Sequence, residues 1–288
     1  MSTNHSEARA LVVATHNLMH GLRIEALVAH YLALREAEGL DLLCLQEDRY
    51  LTGPGASGDE RPSARIVAAL GAPYELVRED ACPGLCFIYD SRTLRCRSRS
   101  VVALPRLGSL SWFEKLYIVG GKTKQKYLLL AEMEARDGAA TFAAVCFHLD
   151  TAGGNTHRLT QVCAIAEALE TAGFRARAIA CGDTNAFALR RQPQALETLL
   201  APLRSLGAVD WEPAALASVA APKARPTHFF ARQNEPKLPH RVGVLLGKLG
   251  LDLPRRYDVV CTNLPVRRRG QVATPGSDHD LVWAALEA

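Results

Sequence analysis

The chain has 288 residues, of which 48% are hydrophobic and 22% are charged, and its formal net charge at pH 7 is +4. This length suits one large domain or two small ones with a sizeable core, and the modest net charge does not by itself indicate a nucleic-acid partner. No run approaches the roughly 20 apolar residues of a membrane span, and the first ten residues carry no signal-peptide pattern, so we expect a cytoplasmic protein without a transmembrane segment.

The N-terminal part of the chain predicts a strand, a helix and a second strand. Residues 11–17 form an apolar run that ends on Asn17, residues 23–38 carry apolar side chains at helical spacing, and residues 40–47 form a second apolar run that ends on Glu47. A unit of this length favours a parallel crossover, so we expect Asn17 and Glu47 at the same edge of a sheet.

The domain organisation follows from the absence of any long linker, repeat or low-complexity segment. Residues 1–9 are expected to be loosely ordered, and residues 10–288 are expected to form one domain. The eight cysteines lie mostly inside apolar segments, which favours free thiols in a reducing compartment, and their spacing does not indicate a structural zinc site. We expect a monomer.

The middle of the chain predicts a surface loop over residues 52–62, a short helix over 63–70, and strands over 84–89, 94–104, 127–134 and 139–147. The connection 105–126 mixes aromatic residues with lysines, among them Lys124 and Lys126. Such a mixture suits contact with a phosphate backbone and base stacking, although a solvated loop with a few buried aromatics is the more common meaning.

Two further strands end on polar residues. The strand over 139–147 runs into His148, and an apolar run over 176–181 ends at Gly182, followed by Asp183 and Asn185. Between them, residues 158–171 have helical spacing. The Asp183 and Asn185 side chains would face a ligand above the sheet, or they would make Asx turns and cap the next helix. A lone histidine at a strand end, such as His148, is more often a structural hydrogen-bonder than an acid or base.

The C-terminal third begins with a predicted helix over 192–200 and an extended piece over 226–230, in which His228 is expected to be structural. Residues 222–256 are the most basic part of the chain, and residues 240–251 have an amphipathic pattern that suits the domain surface, a membrane surface or a nucleic-acid backbone.

A carboxylate and a histidine close the pattern. Asp258 lies inside an apolar run, and a buried carboxylate needs a partner such as a histidine. Asp278 and His279 follow in a glycine-introduced turn before the closing strand 281–286. Clusters of carboxylates and amides favour a hard cation such as Mg²⁺, or Mn²⁺ in its place, and such a cation mostly serves phosphate chemistry. The histidines suit acid–base or transition-state roles better than Mg²⁺ ligation.

In their order and residue motifs, these segments resemble those of the endonuclease/exonuclease/phosphatase superfamily, whose members are DNase I-like. The resemblance runs through nearly the whole chain and rests on the full ordered set of motifs. The motifs are His16-Asn17, Gln46-Glu47, His148-Leu149-Asp150, Gly182-Asp183-Thr184-Asn185, Tyr257-Asp258 and Ser277-Asp278-His279. The resemblance implies an α/β fold, a four-layer α/β sandwich of two mixed β-sheets packed face to face and flanked by helices.

The resemblance also implies a metal site and a water site. Glu47 would be the main metal ligand, with Asn17 and Asp278 helping to hold the ion or its water. Asp183 would orient or deprotonate the attacking water. Asn185 would assist it, and both Asn17 and Asn185 would contact the substrate phosphate.

The remaining roles fall to the two histidines and the lysines. His279, paired to Asp258, would stabilise the transition state or share the role of base. His148 would contact the phosphate or protonate the leaving oxygen. Lys124 and Lys126 would bind the substrate.

Three functions stay open at this stage. A metal-dependent nuclease is favoured by the basic residues in 115–126, 222–256 and 267–269. The alternative is a phosphatase or a phospholipid or sphingomyelin phosphodiesterase, which segment 240–251 would bring to a membrane surface. A scaffold without chemistry is disfavoured, because every expected catalytic position holds a competent residue type.

Overall fold

The computed structural model describes residues 9–21, 23–49, 60–117, 122–138, 140–186, 192–206, 212–213, 226–229, 232, 245 and 256–287. The predictions for residues 1–8 and for the loop over 52–59 lie outside these ranges. So does the amphipathic segment 240–251, apart from Leu245. None of the described helices is both long and apolar enough to cross a membrane.

The predicted helices and strands over the described residues are present. The helices are α1 (Ile24–Glu38), α2 (Pro62–Leu70), α3 (Trp112–Tyr117), α4 (Gly154–Thr171) and α5 (Gln192–Arg204), with a 3₁₀ turn at Met19–Gly21. The strands are β1 (Leu11–Asn17), β2 (Leu42–Asp48), β3 (Tyr74–Arg78), β4 (Gly84–Asp90), β5 (Leu94–Ala103), β6 (Tyr127–Ala135), β7 (Thr141–His148), β8 (Ala178–Asp183), β9 (Glu212–Pro213), β10 (Asp258–Thr262), β11 (Val266–Val272) and β12 (Leu281–Leu286).

The strands form two six-stranded mixed sheets. The first has the order β11-β12-β1-β2-β4-β3, and the second has the order β5-β6-β7-β8-β10-β9. β1 and β2 are parallel, as the strand–helix–strand unit predicts, and β7 and β8 form the matching parallel pair of the second sheet. Both parallel pairs lie in the middle of their sheets, where buried apolar runs are expected.

The core consists of two apolar layers. Alternate side chains of β1 point to opposite faces, so Val12 and Ala14 pack under α1 and α2 while Leu11 and Val13 pack against the second sheet. The larger layer continues through the second sheet to α4 and α5. The result is the predicted sequence of four layers, helix, sheet, sheet and helix.

Four of these helices and strands were not expected from the sequence, namely β3, α3, β9 and β11. β11 contains Arg268 and Arg269 and its residues are exposed or half-buried, because it is an edge strand with one neighbour. An arginine-rich edge strand lacks the apolar run of a central strand, and charged edges also discourage pairing with other chains.

Candidate functional site

Three neighbouring strands of the second sheet, β7, β8 and β10, place polar residues side by side. In the parallel β7–β8 pair His148 lies beside Asp183, and in the antiparallel β8–β10 pair Asp183 lies beside Asp258. All three side chains are buried. The register of the sheet therefore brings together residues that are far apart in the sequence.

Gly182 sets the spacing between β7 and β8 at this level. A Cβ on Gly182 would lie 2.2 Å from the carbonyl oxygen of Phe147 and 2.7 Å from its ring. The glycine is thus required for close approach of the two strands, since its φ is ordinary for a strand.

The first sheet contributes Asn17 from the end of β1. Its side-chain amide donates a hydrogen bond to Asp183 Oδ2 at 3.0 Å, and its Oδ1 accepts one from the Met19 backbone N–H at 3.0 Å. The Asn185 backbone N–H donates to Asp183 Oδ1 at 2.8 Å, and the Asn185 amide donates to the Leu149 carbonyl at 3.0 Å. Both carboxylate oxygens of Asp183 are therefore held in fixed positions.

His279 completes the cluster from the turn that precedes β12. Its Nδ1 lies 2.8 Å from Asp258 Oδ2, and its Nε2 lies 3.7 Å from Asp183 Oδ2. His148 Nε2 lies 3.7 Å from the same oxygen of Asp183. Asp183 consequently stands between two imidazoles, and Asp258 orients one of them.

The charges of these groups differ in a consistent way. Burial by itself lowers the pKa of His279, but three carboxylates outweigh it and raise that pKa well above 6.5. These carboxylates belong to Asp258, Asp183 and Asp278. Burial also works against the ionised form of Asp183, yet the positive charge of His279 lowers the pKa of Asp183 below its usual value. A protonated His279 beside an ionised Asp183 is the favoured state near neutral pH.

The second histidine of the cluster has the opposite state. Burial, and then the charge of Lys126, lowers the pKa of His148 well below 6.5. Burial likewise lowers the pKa of Lys126, while the carboxylates of Asp150 and Glu47 oppose that change. The neutral His148 is thus suited to donate a hydrogen bond from a ring N–H, whereas His279 presents a full positive charge.

Glu47 stands at the end of β2 with an unusual backbone. Its φ is 60°, a value that non-glycine residues seldom adopt and that commonly marks a functional site. Its Oε2 lies 3.3 Å from His20 Nδ1. The next residue, Asp48, accepts hydrogen bonds from the Ser63 N–H at 2.8 Å and the Ser63 hydroxyl at 2.7 Å, so the start of α2 fixes the backbone that carries Glu47.

Positive φ values cluster around this site. Among the described residues, the non-glycine positions with positive φ are Met19, His20, Glu47 and Asn185. Glu47 contacts His20, and Met19 contacts Asn17. Strained backbone of this kind costs of the order of 1–3 kcal/mol each and persists where the surrounding structure enforces it.

A cavity of about 360 Å³ opens beside the cluster. His148 and Glu47 line it together with four basic residues, Arg49, Arg61, Lys124 and Lys126. Lys124 is exposed and Lys126 is half-buried. The cavity combines catalytic-type groups with positive charge, which suits an anionic substrate.

α3 forms a further feature of the connection 105–126. Ser111 and Glu114 make a capping box: the Glu114 carboxylate accepts hydrogen bonds from the Ser111 N–H and hydroxyl, and the Ser111 hydroxyl accepts one from the Glu114 N–H. The other oxygen of Glu114 accepts the Gly153 N–H at 2.6 Å, which ties α3 to the loop after His148. Trp112 is held there with 76% of its surface exposed.

The basic residues that the sequence analysis grouped together have different surroundings. Arg267 pairs with Glu287 at 2.8 Å, and Arg268 pairs with Glu38 at 2.8 Å. This half of β11 lies beside the C-terminal end of β12, which is the end farther from His279. Arg232 pairs with Asp280 at 2.6 Å. Most of segment 222–256 lies outside the described residues.

The structure brings the predicted site residues into two adjoining groups. Asn17, Asp183, Asn185, His148, His279, Asp258 and Asp278 form the hydrogen-bonded and charged cluster, while Glu47, Lys124, Lys126 and His148 line the cavity. Sequence reasoning missed Arg49 and Arg61 as cavity residues and the place of His228 beside Asp278. Arg49 lies two residues after Glu47 of the Gln46-Glu47 motif, and this position is the one available signal.

Comparisons with known proteins bear on the fold. No protein-family model matches the chain, and no curated protein is significantly similar to it in sequence. An endonuclease/exonuclease/phosphatase from Bacteroides vulgatus matches with a TM-score of 0.62 and 16% identity, covering 96% of this chain and 98% of that one. The TDP2 of D. rerio, solved with a single-strand DNA product, matches with a TM-score of 0.63 and 12% identity, covering 96% and 99%.

A third solved structure is the mannosyl-6-phosphatase of Bacteroides thetaiotaomicron. It matches with a TM-score of 0.59 and 14% identity, covering 97% of this chain and 100% of that one. These similarities extend over nearly the full length of this chain and of each solved structure. Because the sequence identity is low, they bear on architecture and not on substrate. The chain therefore has the DNase I-like fold of the endonuclease/exonuclease/phosphatase superfamily, as the order of its motifs predicts.

Proposed function

We propose that the protein is a divalent-metal-dependent phosphoesterase that hydrolyses phosphodiester bonds, with nucleic acid as its substrate. The observation that carries the proposal is the position of Asp183, whose Oδ2 lies 3.7 Å from both His148 Nε2 and His279 Nε2. An ionised carboxylate between a neutral and a protonated imidazole is suited to phosphoryl transfer by an attacking water.

Asp183 orients the attacking water. Its Oδ1 is held by the Asn185 N–H and its Oδ2 by the Asn17 amide, so each oxygen keeps a lone pair toward the cluster. The lowered pKa of Asp183 keeps it ionised, which suits alignment of the water through a hydrogen bond more than strong proton abstraction.

His279 stabilises the negative charge that develops on the phosphoryl oxygens. It carries a proton near neutral pH, and Asp258 fixes its ring through Nδ1, so Nε2–H is directed at the cluster. Its raised pKa argues against a role as base. The neutral His148 donates a hydrogen bond to the phosphate or the leaving oxygen from the cavity side.

The residues present fit a hard divalent ion. Glu47 offers a carboxylate in the cavity on a strained backbone, and Asp278 offers a buried carboxylate beside His279. Asn17 Oδ1 already accepts the Met19 N–H and retains one lone pair for the ion or its water. When bound, Mg²⁺ would neutralise phosphoryl charge and polarise the water or the leaving oxygen.

A nucleic-acid substrate is supported by the surface next to the cluster. Lys124 and Lys126 line the cavity, and the exposed Trp112 on α3 is tethered to the loop that follows His148. Lysines in the cavity and an exposed aromatic ring on the same connection suit a single strand, whose phosphates and bases they would contact. The alternative is a phosphatase or a lipid phosphodiesterase, which segment 240–251 would bring to a membrane surface. In that segment the structure describes only Leu245, whose side chain is exposed.

The proposal is tested by a substrate panel with a matched variant. Wild type and Glu47→Gln are assayed with Mg²⁺ and Mn²⁺ on single-stranded DNA, RNA, phosphoinositides and sphingomyelin. We expect hydrolysis of nucleic acid that EDTA abolishes and that Glu47→Gln reduces by roughly 100-fold or more. Hydrolysis of a phosphomonoester or lipid alone would overturn the nucleic-acid assignment, and metal-independent hydrolysis would overturn the phosphoesterase mechanism.

A further inference from the structure

His228 is a buried histidine at the catalytic face for which the hydrolytic scheme has no role. Its side chain is 4% exposed, and its Nε2 lies 3.4 Å from Asp278 Oδ2. Its ring centroid lies 4.7 Å from that of His279 and 4.8 Å from that of Tyr257. Two imidazoles and a carboxylate therefore meet on the side of His279 that faces away from Asp258.

The backbone fixes this meeting point. His228 and His279 are paired in an isolated antiparallel bridge. The Phe229 N–H donates to the Asp278 carbonyl at 2.8 Å, and the Asp280 N–H donates to the Thr227 carbonyl at 2.7 Å. The two histidines are thus held opposite one another by main-chain hydrogen bonds and do not depend on side-chain packing alone.

The donor atoms are arranged as a metal site requires. One ligand atom from each of His228, Asp278 and His279 lies within 4.8 Å of the other two. The separations from the Asp278 oxygens are 3.4 Å to His228 Nε2 and 4.0 Å to His279 Nε2. A tetrahedral ion with ligands at about 2.1 Å separates its donors by roughly 3.4 Å, so small side-chain movements would close the site.

The ligand types select the kind of ion. Two imidazoles with one carboxylate suit borderline ions such as Zn²⁺, whereas Mg²⁺ and Ca²⁺ prefer oxygen. His279 also has the usual outer partner of a metal-bound histidine, because its other nitrogen is bonded to the Asp258 carboxylate. That bond leaves Asp258 behind the ring, which favours His228 and Asp278 over Asp258 as the companions of His279 Nε2.

We propose that His228, Asp278 and His279 form a binding site for a borderline divalent ion of the Zn²⁺ type, and that occupation of this site stops hydrolysis. An ion on His279 Nε2 occupies the ring nitrogen that faces Asp183 and removes Asp278 from the oxygen-ligand site. The binding part of this inference is independent of the proposed function, while the inhibition rests on it.

Zn²⁺ binding to the full chain tests the inference. Calorimetric titration is done with millimolar Mg²⁺ present to occupy oxygen-ligand sites, on wild type, His228→Phe, His228→Gln and His30→Phe. His30→Phe is the matched control, since it removes a histidine from α1 outside the cluster. We expect the Kd for Zn²⁺ to rise at least about tenfold in both His228 variants and to stay unchanged in His30→Phe.

Inhibition gives the second readout. The Zn²⁺ concentration for half inhibition, measured relative to each variant's own uninhibited rate, should rise at least about tenfold in the His228 variants. Histidine ring ¹⁵N shifts in folded wild type should move for two histidines on Zn²⁺ addition. Equal Zn²⁺ affinity in wild type and His228→Gln, or ring shifts at a single histidine, would overturn the inference even if the protein hydrolyses no phosphodiester.

Discussion

Two basic regions that the structure describes look alike in the sequence and differ in their surroundings. In β11, Arg267 forms an ion pair with Glu287 and Arg268 forms one with Glu38, beside the end of β12 farther from His279. The lysines before β6 line the cavity that Glu47 and His148 share. A run of basic residues therefore indicates a substrate surface only where its charges face the site, as those of Lys124 and Lys126 do.

The largest effect is expected at His279, the positively charged residue of the cluster beside the cavity. His279→Gln keeps a hydrogen-bond donor but removes the positive charge, so kcat/KM should fall by roughly 10²- to 10³-fold, as for loss of one transition-state donor. Steady-state kinetics on single-stranded DNA with Mg²⁺ measure this. A loss below threefold would show that His279 does not contact the transition state.

The same variant has a pH signature in stability. The pKa of His279 is raised in the folded protein, so its stabilising contribution is fully present below the unfolded pKa near 6.5 and is lost as pH rises through the folded pKa. The gap in unfolding free energy between wild type and His279→Gln should therefore shrink from pH 6 upward. Urea titrations measure it, and a gap that widens with rising pH would contradict the charge assignment.

A smaller effect is expected at the cavity lysine. Lys126→Met keeps the length of the side chain and removes its charge, so kcat/KM should fall roughly 10- to 100-fold, the value of one charge-assisted contact of about 1.5–3 kcal/mol. The slope of log K for single-stranded DNA against log salt concentration should also become shallower by about 0.7, the contribution of one phosphate contact. An unchanged salt slope would mean that Lys126 serves the cluster electrostatically and does not touch substrate.

Trp112→Ala should act on substrate binding alone. Loss of one stacked base costs about 1–3 kcal/mol, so KM for single-stranded DNA should rise roughly 5- to 100-fold while kcat stays within twofold. A small aryl phosphodiester without bases is the control, and its KM should not change. Equal effects on both substrates would indicate that the substitution disturbs α3 rather than a base-binding surface.

The smallest effect is expected at the other basic region. Arg268→Met breaks an exposed ion pair, which contributes at most about 1 kcal/mol to stability, and it should alter kcat/KM on single-stranded DNA by less than twofold. Arg268→Met and Lys126→Met both replace a long cationic side chain with methionine. A difference between the two variants therefore reports on the region and not on the type of substitution. A tenfold loss in Arg268→Met would erase the distinction between the two regions.

The sequence was sufficient for the frame of the site because its residues stand at strand ends. Apolar runs that stop at Asn17, Glu47, His148 and Asp183 define buried strands, and the parallel pairing of such strands places their ends at one edge. The burial of Asp258 required a partner, and the structure supplies His279. These inferences used only local pattern and the cost of a buried charge.

Other parts of the site depend on contacts that local patterns do not reveal. His228 lies outside the named strands, and its approach to Asp278 is set by an isolated bridge to His279. Arg61 reaches the cavity from the residue before α2, and nothing in its neighbourhood signals that direction. The strained φ of Glu47 is imposed by packing around the end of β2 and leaves no mark in the residue type.

Asp183 is central to the proposed hydrolysis, so removing its carboxylate is the decisive measurement. Wild type, Asp183→Ala and the surface variant Arg268→Met are compared for hydrolysis of a generic phosphodiester with Mg²⁺, after thermal unfolding shows that all three are folded. We expect Asp183→Ala to lose at least about 10³-fold in kcat while Arg268→Met stays within twofold. Hydrolysis by Asp183→Ala at the wild-type rate would contradict this expectation.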